Sequence, residues 1–325
     1  MITLGVETSC DETSVSVVKD GKKILSCETC SSLRFHKKYG GIIPEIASRI
    51  QLETIAQMAE AALKDARIRL KDIELISVTS SPGLLGSLLI GVSFAKSVSL
   101  ALDVPLIGVD HVHSHIYANF LNGSGVKLPF VALVVSGGHT SLFFVRDFCK
   151  IQVLGETQDD ACGEAFDKVA KILGLGYPGG PYIEKVAREG NAKKYLFRCS
   201  GTKKPLDFSF SGIKTACLYA VKGRRISIAQ KRDIAASFQE TVIDTLILKS
   251  FLACQIKGVK QLVVGGGVVA NNRLREKFHE AANRRGFKCY FPPKPLCMDN
   301  AAMVAGFGYQ LYKKGRRSHL DLSAN

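Results

Sequence analysis

Apolar residues along the chain fall into compact runs that alternate with longer stretches of helical spacing. Ile2–Glu7 and Ser14–Val18 are rich in β-branched residues around a short polar loop, which predicts two strands. From Pro44 to Ala66 the apolar positions Ile46, Ile50, Ile55, Met58, Ala62 and Ala66 recur close to the helical period. A strand at Leu75–Thr79, a helix from Leu84 and a strand at Leu106–Val109 follow. The apolar run Leu84–Leu102 is interrupted by Lys96 and several serines, so it predicts a buried helix and not a membrane span. A second series opens with strand Phe130–Val135 and its hairpin partner Ser141–Val145. Helices are expected near Glu164–Leu173, Gly212–Val221 and Ile228–Ile256. Strand Gln261–Val264, helix Arg273–Arg284, strand Lys288–Phe291 and helix Ala301–Lys314 close the chain. Such alternation predicts an α/β fold with strands sandwiched between helices.

The two series are internally similar. Ser9–Val18 (SCDETSVSVV) set against Ser136–Val145 (SGGHTSLFFV) aligns Ser, Thr, Ser and the final Val without a gap. Both segments follow a strand and run from a polar turn into an apolar strand, which points to two related domains. Paired β-turn-β loops facing each other across a cleft hold the nucleotide phosphates in actin-like ATPases and sugar kinases. An actin-like fold with an interdomain nucleotide cleft is therefore expected. Its boundary falls in the NGSGVK stretch Asn122–Lys127, giving domains over 1–125 and over 126–325, the latter with a helical insertion.

With 325 residues and 46% hydrophobic content the chain can bury a sizeable core, and 22% charged residues argue against wholesale disorder. Lys and Arg outnumber Asp and Glu by 44 to 29, a net charge of +15 that favours a polyanionic partner. The ten cysteines are scattered through a long chain that opens on a strand-like segment, so a reducing cytoplasm with no membrane association fits best. Cys27 and Cys30 form one C-x-x-C without a second pair at zinc-ribbon spacing, and read as structural.

Several motifs carry chemistry. In Ser136-Gly137-Gly138-His139-Thr140, adjacent glycines let the backbone approach an anion and aim N–H groups at it. A second glycine run, Gly265-Gly266-Gly267, lies between a strand and a helix opening at Asn271–Asn272, which also suits a nucleotide. His111-Val-His-Ser-His115 follows directly on the strand ending at Asp110. If helical, it places His111 and His115 one turn apart on one face, able to share a metal, with His113 pointing elsewhere. Asp299, after an extended proline-rich segment, is the candidate third ligand. Two histidines and a carboxylate leave positions open for substrate and suit Fe(II) or Zn. Asp159, Asp160, Glu164 and Asp167 form an acidic patch leading into a helix. Gly176–Pro181 (GYPGGP) is a rigid turn, and Asp207–Thr215 (DFSFSGIKT) packs aromatics, serines and a lysine together. Basic clusters occur at Lys193–Lys194, Lys203–Lys204, Lys222–Arg225, Lys231–Arg232 and Lys313–Arg317.

In this order, VETSCDET, HVHSHIYA, SGGHT, GEAFDKVAK, GYPGGP, DFSFSGIKTA, GGGVVANNRLR and CMDNAAM closely resemble the tRNA threonylcarbamoyladenosine transferase family, formerly labelled a sialoglycoprotein endopeptidase. The resemblance covers essentially Met1 to Lys314. It implies a two-domain actin-like ATPase fold. It also implies transfer of a threonylcarbamoyl group from threonylcarbamoyl-adenylate to the N6 amine of adenosine 37 in tRNAs reading codons that begin with A, with AMP released. Carried over by position, the metal ligands are His111, His115 and Asp299, holding one divalent metal per subunit, Fe(II) first and Zn second. The contacts to the adenylate, or to ATP in the same place, are Val134, Val135, Ser136, Gly137, Gly138, Asp167, Gly180, Glu184 and Asn271. Glu184 stands where members usually have Asp. Val134 stands where archaeal and eukaryotic members place a metal-binding tyrosine, so the sequence looks bacterial. Bacterial relatives work with a catalytically silent smaller paralogue and a P-loop ATPase, which implies a multiprotein complex.

Two other activities compete. A zinc-protease reading lacks the glutamate of H-E-x-x-H, because Val112 follows His111. An actin-fold small-molecule kinase or ATPase shares the fold, but SGGHT carries no carboxylate for Mg²⁺ or a hydroxyl, and a His/His/Asp site has no place in that chemistry. Asp11 and Glu12 are both candidates for taking a proton from the amine; the catalytic base stays open between them.

Overall fold

The computed structural model describes residues 1–123, 125–223 and 225–325. They form two compact units, Met1–Gly125 with Pro295–Asn325, and Val126–Lys294.

In the first unit a five-stranded sheet runs in the order β3-β2-β1-β4-β5, from β1 (Ile2–Glu7), β2 (Glu12–Lys19), β3 (Lys23–Ser31), β4 (Leu75–Ser81) and β5 (Leu106–Asp110). β1, β2 and β3 are antiparallel neighbours, whereas β4 and β5 continue parallel to β1. The short turn α1 (Leu33–His36) precedes α2 (Pro44–Ala66), which starts with proline at its first position, where the missing N–H costs nothing. α2 and α3 (Leu85–Leu102) cover one face of the sheet, packing Ile55, Ala59, Ala62, Val92 and Ala95 onto Leu4, Val6, Val15 and Val17. By length and composition α3 could cross a membrane, but one face of it, with Leu88, Val92 and Ala95, is buried in this core while Leu85, Leu89 and Leu100 are exposed.

The other face is covered by α10 (Ala301–Lys313), and small residues decide how closely. A Cβ on Gly5 would lie 2.2 Å from the Ala301 carbonyl oxygen, and one on Gly308 would lie 2.0 Å from Ser77 Oγ. Ser77 donates to the Val304 carbonyl at 2.8 Å, and Ser14 Oγ accepts from Ala301 N at 3.0 Å. This packing carries Pro295–Asn325 into the first unit, so the chain does not divide simply into 1–125 and 126–325.

The second unit repeats the topology. Its sheet runs β10-β9-β6-β7-β8, from β6 (Phe130–Val135), β7 (Thr140–Asp147), β8 (Lys150–Glu156), β9 (Gln261–Gly265) and β10 (Lys288–Tyr290). Again three antiparallel strands are followed by two parallel ones. The segments that align in sequence, Ser9–Val18 and Ser136–Val145, are the turn into β2 and the turn into β7, so the duplication is one of structure. α4 (His111–Tyr117) follows β5 in the first unit. α5 (Cys162–Ile172), α6 (Gly179–Ala187), α7 (Ser211–Val221), α8 (Ile228–Lys257) and α9 (Asn272–Arg285) belong to the second. Strands β3 and β8 and helix α6 had no clear signal in the sequence. The two strands are sheet edges whose residues are mostly half-exposed or exposed, without a buried apolar face, and α6 opens on Gly-Gly-Pro, which reads as a turn.

Candidate active site

β5 delivers Asp110 to the first turn of α4, where its carboxylate caps the helix by accepting from His113 N at 2.8 Å. The histidine motif is therefore helical. His111 and His115 stand edge to face with ring centroids 4.7 Å apart. Asp299, just before α10, meets both: its Oδ1 is 3.1 Å from His115 Nε2 and 3.6 Å from His111 Nε2. His113 turns away, its Nδ1 3.7 Å from Asp110 and its ring against Phe307.

His115 is 1% exposed; its Nε2 meets Asp299 as a close polar contact without hydrogen-bond geometry, and its Nδ1 has no hydrogen-bond partner among the described residues. A buried polar group without a partner is unfavourable. One ligand atom from each of His111, His115 and Asp299 lies within 4.8 Å of the others, so a cation at their centre would satisfy His115. The donor set fits a divalent metal.

Behind His111 sits a residue that sequence reasoning missed. Glu7, at the end of β1, is wholly buried. It accepts from Ser9 N at 2.6 Å and Thr79 Oγ1 at 2.6 Å, and faces His111 Nδ1 at 3.1 Å. Carboxylates placed in this way fix the tautomer of a ligating histidine, leaving Nε2 for the metal. Burial alone would raise the Glu7 carboxyl, but the charge and hydrogen bond of His111 outweigh it and hold the group below its ordinary value. Burial likewise opposes charge on His111, yet Glu7 and Asp299 carry its imidazole up to about 9. At the first residue of β2, burial, then Asp299 and Asp11, push Glu12 well above the usual carboxylate range. Asp11 is also buried.

In the second unit the turn after β6 is built for an exposed backbone. Ser136 Oγ accepts from His139 N at 3.1 Å, and Gly163 N donates to the Ser136 carbonyl at 3.1 Å. Gly137 and Gly138 are exposed, a Cβ at either would meet nothing within 4 Å, and their amides donate to no described residue. Val134 and Val135 are fully buried in β6, so only their main chain is available to a ligand. Gly266 adopts φ 96° with its Cβ position 2.4 Å from the Val135 carbonyl oxygen, a close approach that requires glycine.

Asp167 accepts from Gly179 N at 2.6 Å, and burial raises its carboxyl. Gly180, next along, is open. The rest of the acidic patch is structural. Asp159 accepts from Ser209, Ser211 and the Phe210 and Ser211 amides at the start of α7. Asp160 pairs with Lys168 and Lys214, and Glu164 with Lys168. This network explains why DFSFSGIKT folds as it does. Glu184 Oε1 accepts from the backbone and side-chain amides of Asn272, at 3.2 and 2.6 Å. Asn271 caps α9 through Oδ1, 2.9 Å from Leu274 N, and gives its Nδ2 to Gln239 at 2.8 Å. A cavity of about 770 Å³ in this unit is lined by Glu184, Gln239, Glu240, Asn272 and Arg273 among others. Of the basic clusters, Lys222 and Arg225 are exposed, Arg232 pairs with Glu189 at 2.7 Å, and Arg224 lies outside the described residues, as does Ser124 of the expected linker.

The duplicated sheets define an actin-like ATPase fold. HypF, crystallised with phosphate and nucleotide, matches with a TM-score of 0.65 at 16% identity, over 98% of this chain and 47% of HypF. Component A of the Acidaminococcus fermentans (R)-2-hydroxyglutaryl-CoA dehydratase matches with a TM-score of 0.55 at 16% identity, over 97% of this chain and all of that one. Within this class the sequence is more specific. The model of the tRNA N6-adenosine threonylcarbamoyltransferase family matches residues 23–306, and the enzyme of that name from Dictyoglomus turgidum is 52% identical over 100% of this chain and 98% of its own length. The chain belongs to this family.

Proposed function

We propose that the protein transfers the threonylcarbamoyl group of threonylcarbamoyl-adenylate to the N6 amine of adenosine 37 in tRNAs reading codons that begin with A. The N6 nitrogen forms a bond to the carbamoyl carbon, the bond from that carbon to the AMP phosphate oxygen breaks, and the amine loses a proton. The observation that carries this reading is the buried His111, His115 and Asp299 cluster with an unsatisfied His115, in a chain of this family. These three residues would hold a divalent metal, Fe(II) or Zn, which supplies Lewis-acid polarisation of the carbonyl when bound. Glu7 orients His111. The amides of Gly137 and Gly138 are free to neutralise a phosphate, and the cavity beside Glu184 receives the nucleoside. Asp11 or Glu12 takes the amine proton.

The net charge of +15 supports tRNA as the polyanionic partner, bound largely through its phosphates. A smaller inactive paralogue, a P-loop ATPase and a cytoplasmic location enter through the family resemblance alone. The test is direct. The purified chain, with those two partners, is mixed with threonylcarbamoyl-adenylate and unmodified tRNA. Modified adenosine should appear with equimolar AMP and be lost in His111→Ala. Release of AMP without modified tRNA would overturn the proposal.

A further inference from the structure

The cavity of the second unit has a wall donor that no described protein group uses. Gln239, on α8, lines it and is only 4% exposed. A chain of hydrogen bonds that begins at a backbone amide sets its orientation. Leu274 N–H can only donate, so the Asn271 atom facing it at 2.9 Å is the oxygen Oδ1. Asn271 must then present its Nδ2 to Gln239, and the Gln239 atom 2.8 Å away is Oε1. What remains is the Gln239 NH₂ group, which donates to no described residue. The group opens onto the cavity and no protein acceptor competes for it, so it is set for an acceptor that arrives with a ligand.

The lining also includes Ala187, Ala192 and Ala236, and its charges balance, Arg188, Lys193 and Arg273 against Glu184, Glu240 and Glu276. A neutral carboxamide beside three alanines matches a flat, uncharged heterocycle. A phosphate would call for a net excess of cations, which this lining lacks, or for converging backbone amides, such as those of Gly137 and Gly138. We infer that Gln239 is a further binding residue of the nucleoside site, donating from its NH₂ to a ring nitrogen of the purine. The inference rests on the nucleotide-binding part of the proposed function. Asn271 acts behind it as a positioning residue, since both ends of its side chain are held by the protein.

Calorimetric titration of the full chain with ADP, and with its 1-, 3- and 7-deaza analogues, tests this. One deaza analogue should bind the wild-type chain about tenfold more weakly than ADP, because it lacks the acceptor. Gln239→Glu keeps an oxygen for Asn271 Nδ2 but turns the cavity-facing donor into an acceptor. ADP should bind this variant at least about tenfold more weakly, while the affected analogue should bind variant and wild type alike. If all three analogues bind wild type as ADP does, or if Gln239→Glu binds ADP undiminished, the inference is wrong. The analogue series needs no variant, so it stands even if the substitution impairs folding. Failure of the wild-type chain to bind ADP at all would instead overturn the nucleotide reading itself.

Discussion

Glu7→Gln probes how the protein prepares His111. In the native chain three donors converge on two carboxylate oxygens: Ser9 N on Oε1, and Thr79 Oγ1 and His111 Nδ1 on Oε2, at 2.6, 2.6 and 3.1 Å. Glutamine has the same shape but offers one oxygen and one NH₂. With its oxygen on the Thr79 side, the NH₂ confronts Ser9 N–H, and a buried donor goes unmet at a cost of about 1–3 kcal/mol. With its oxygen toward Ser9, Thr79 can rotate to accept, but the NH₂ then faces His111 Nδ1, which also lies 3.0 Å from the Ser9 hydroxyl, and favours a bare nitrogen there. Its proton then sits on Nε2, the atom facing Asp299, where a metal would bind. Loss of such an outer partner weakens metal binding about 10–100-fold, or about 1.4–2.7 kcal/mol. Competition between the protein and a chromophoric chelator for Zn(II) measures the affinity, and calorimetry of the metal-free proteins separates the stability cost. If Glu7→Gln binds Zn(II) as tightly as wild type and melts at the same temperature, the role assigned to Glu7 is refuted.

Two further outcomes follow from packing and from charge. Gly5→Ala would drive its Cβ into the Ala301 carbonyl and Ala305, so it should lower unfolding free energy by about 3 kcal/mol in urea titrations. Gly137→Ala, with open space at its Cβ, should change it by less than about 0.5 kcal/mol; equal effects would contradict the close α10 contact. In the second unit burial would raise Asp159, Asp160 and Glu240. Hydrogen bonds and ion pairs from Ser209 and Ser211, from Lys168 and Lys214, and from Arg273 and Lys277 instead hold all three below their ordinary values of 3.8, 3.8 and 4.5. A depressed native pKa adds stability that is complete above the unfolded value and lost as pH falls through the native one. These three groups should therefore pull the urea midpoint down below about pH 4.5, whereas His111, Glu12 and Asp167, whose values are raised, favour folding on acidification above that range; a midpoint that does not fall between about pH 4.5 and pH 3 would contradict the pairing.

Local pattern determined a good deal of this protein. The period-2 and helical repeats disclosed nearly all the central strands and long helices, because those elements bury a continuous face. The match of Ser9–Val18 to Ser136–Val145 announced the repeated sheet, because each turn joins the same pair of central strands. His111 and His115 were legible because a pairing four residues apart is a property of one helix. Edge strands β3 and β8 were not, since an exposed edge needs no apolar face. Tertiary structure alone decided that α10 returns to the first unit, a matter of small residues at Gly5 and Gly308 that show no periodicity. It alone brought Glu7 from β1 behind His111, 104 positions along the chain, and Gln239 against Asn271, 32 positions away. In sequence Glu7 is only the end of a strand and Gln239 one polar residue in a 30-residue helix. Their chemistry lies in which hydrogen-bond partner each meets, and that is fixed only once distant segments pack.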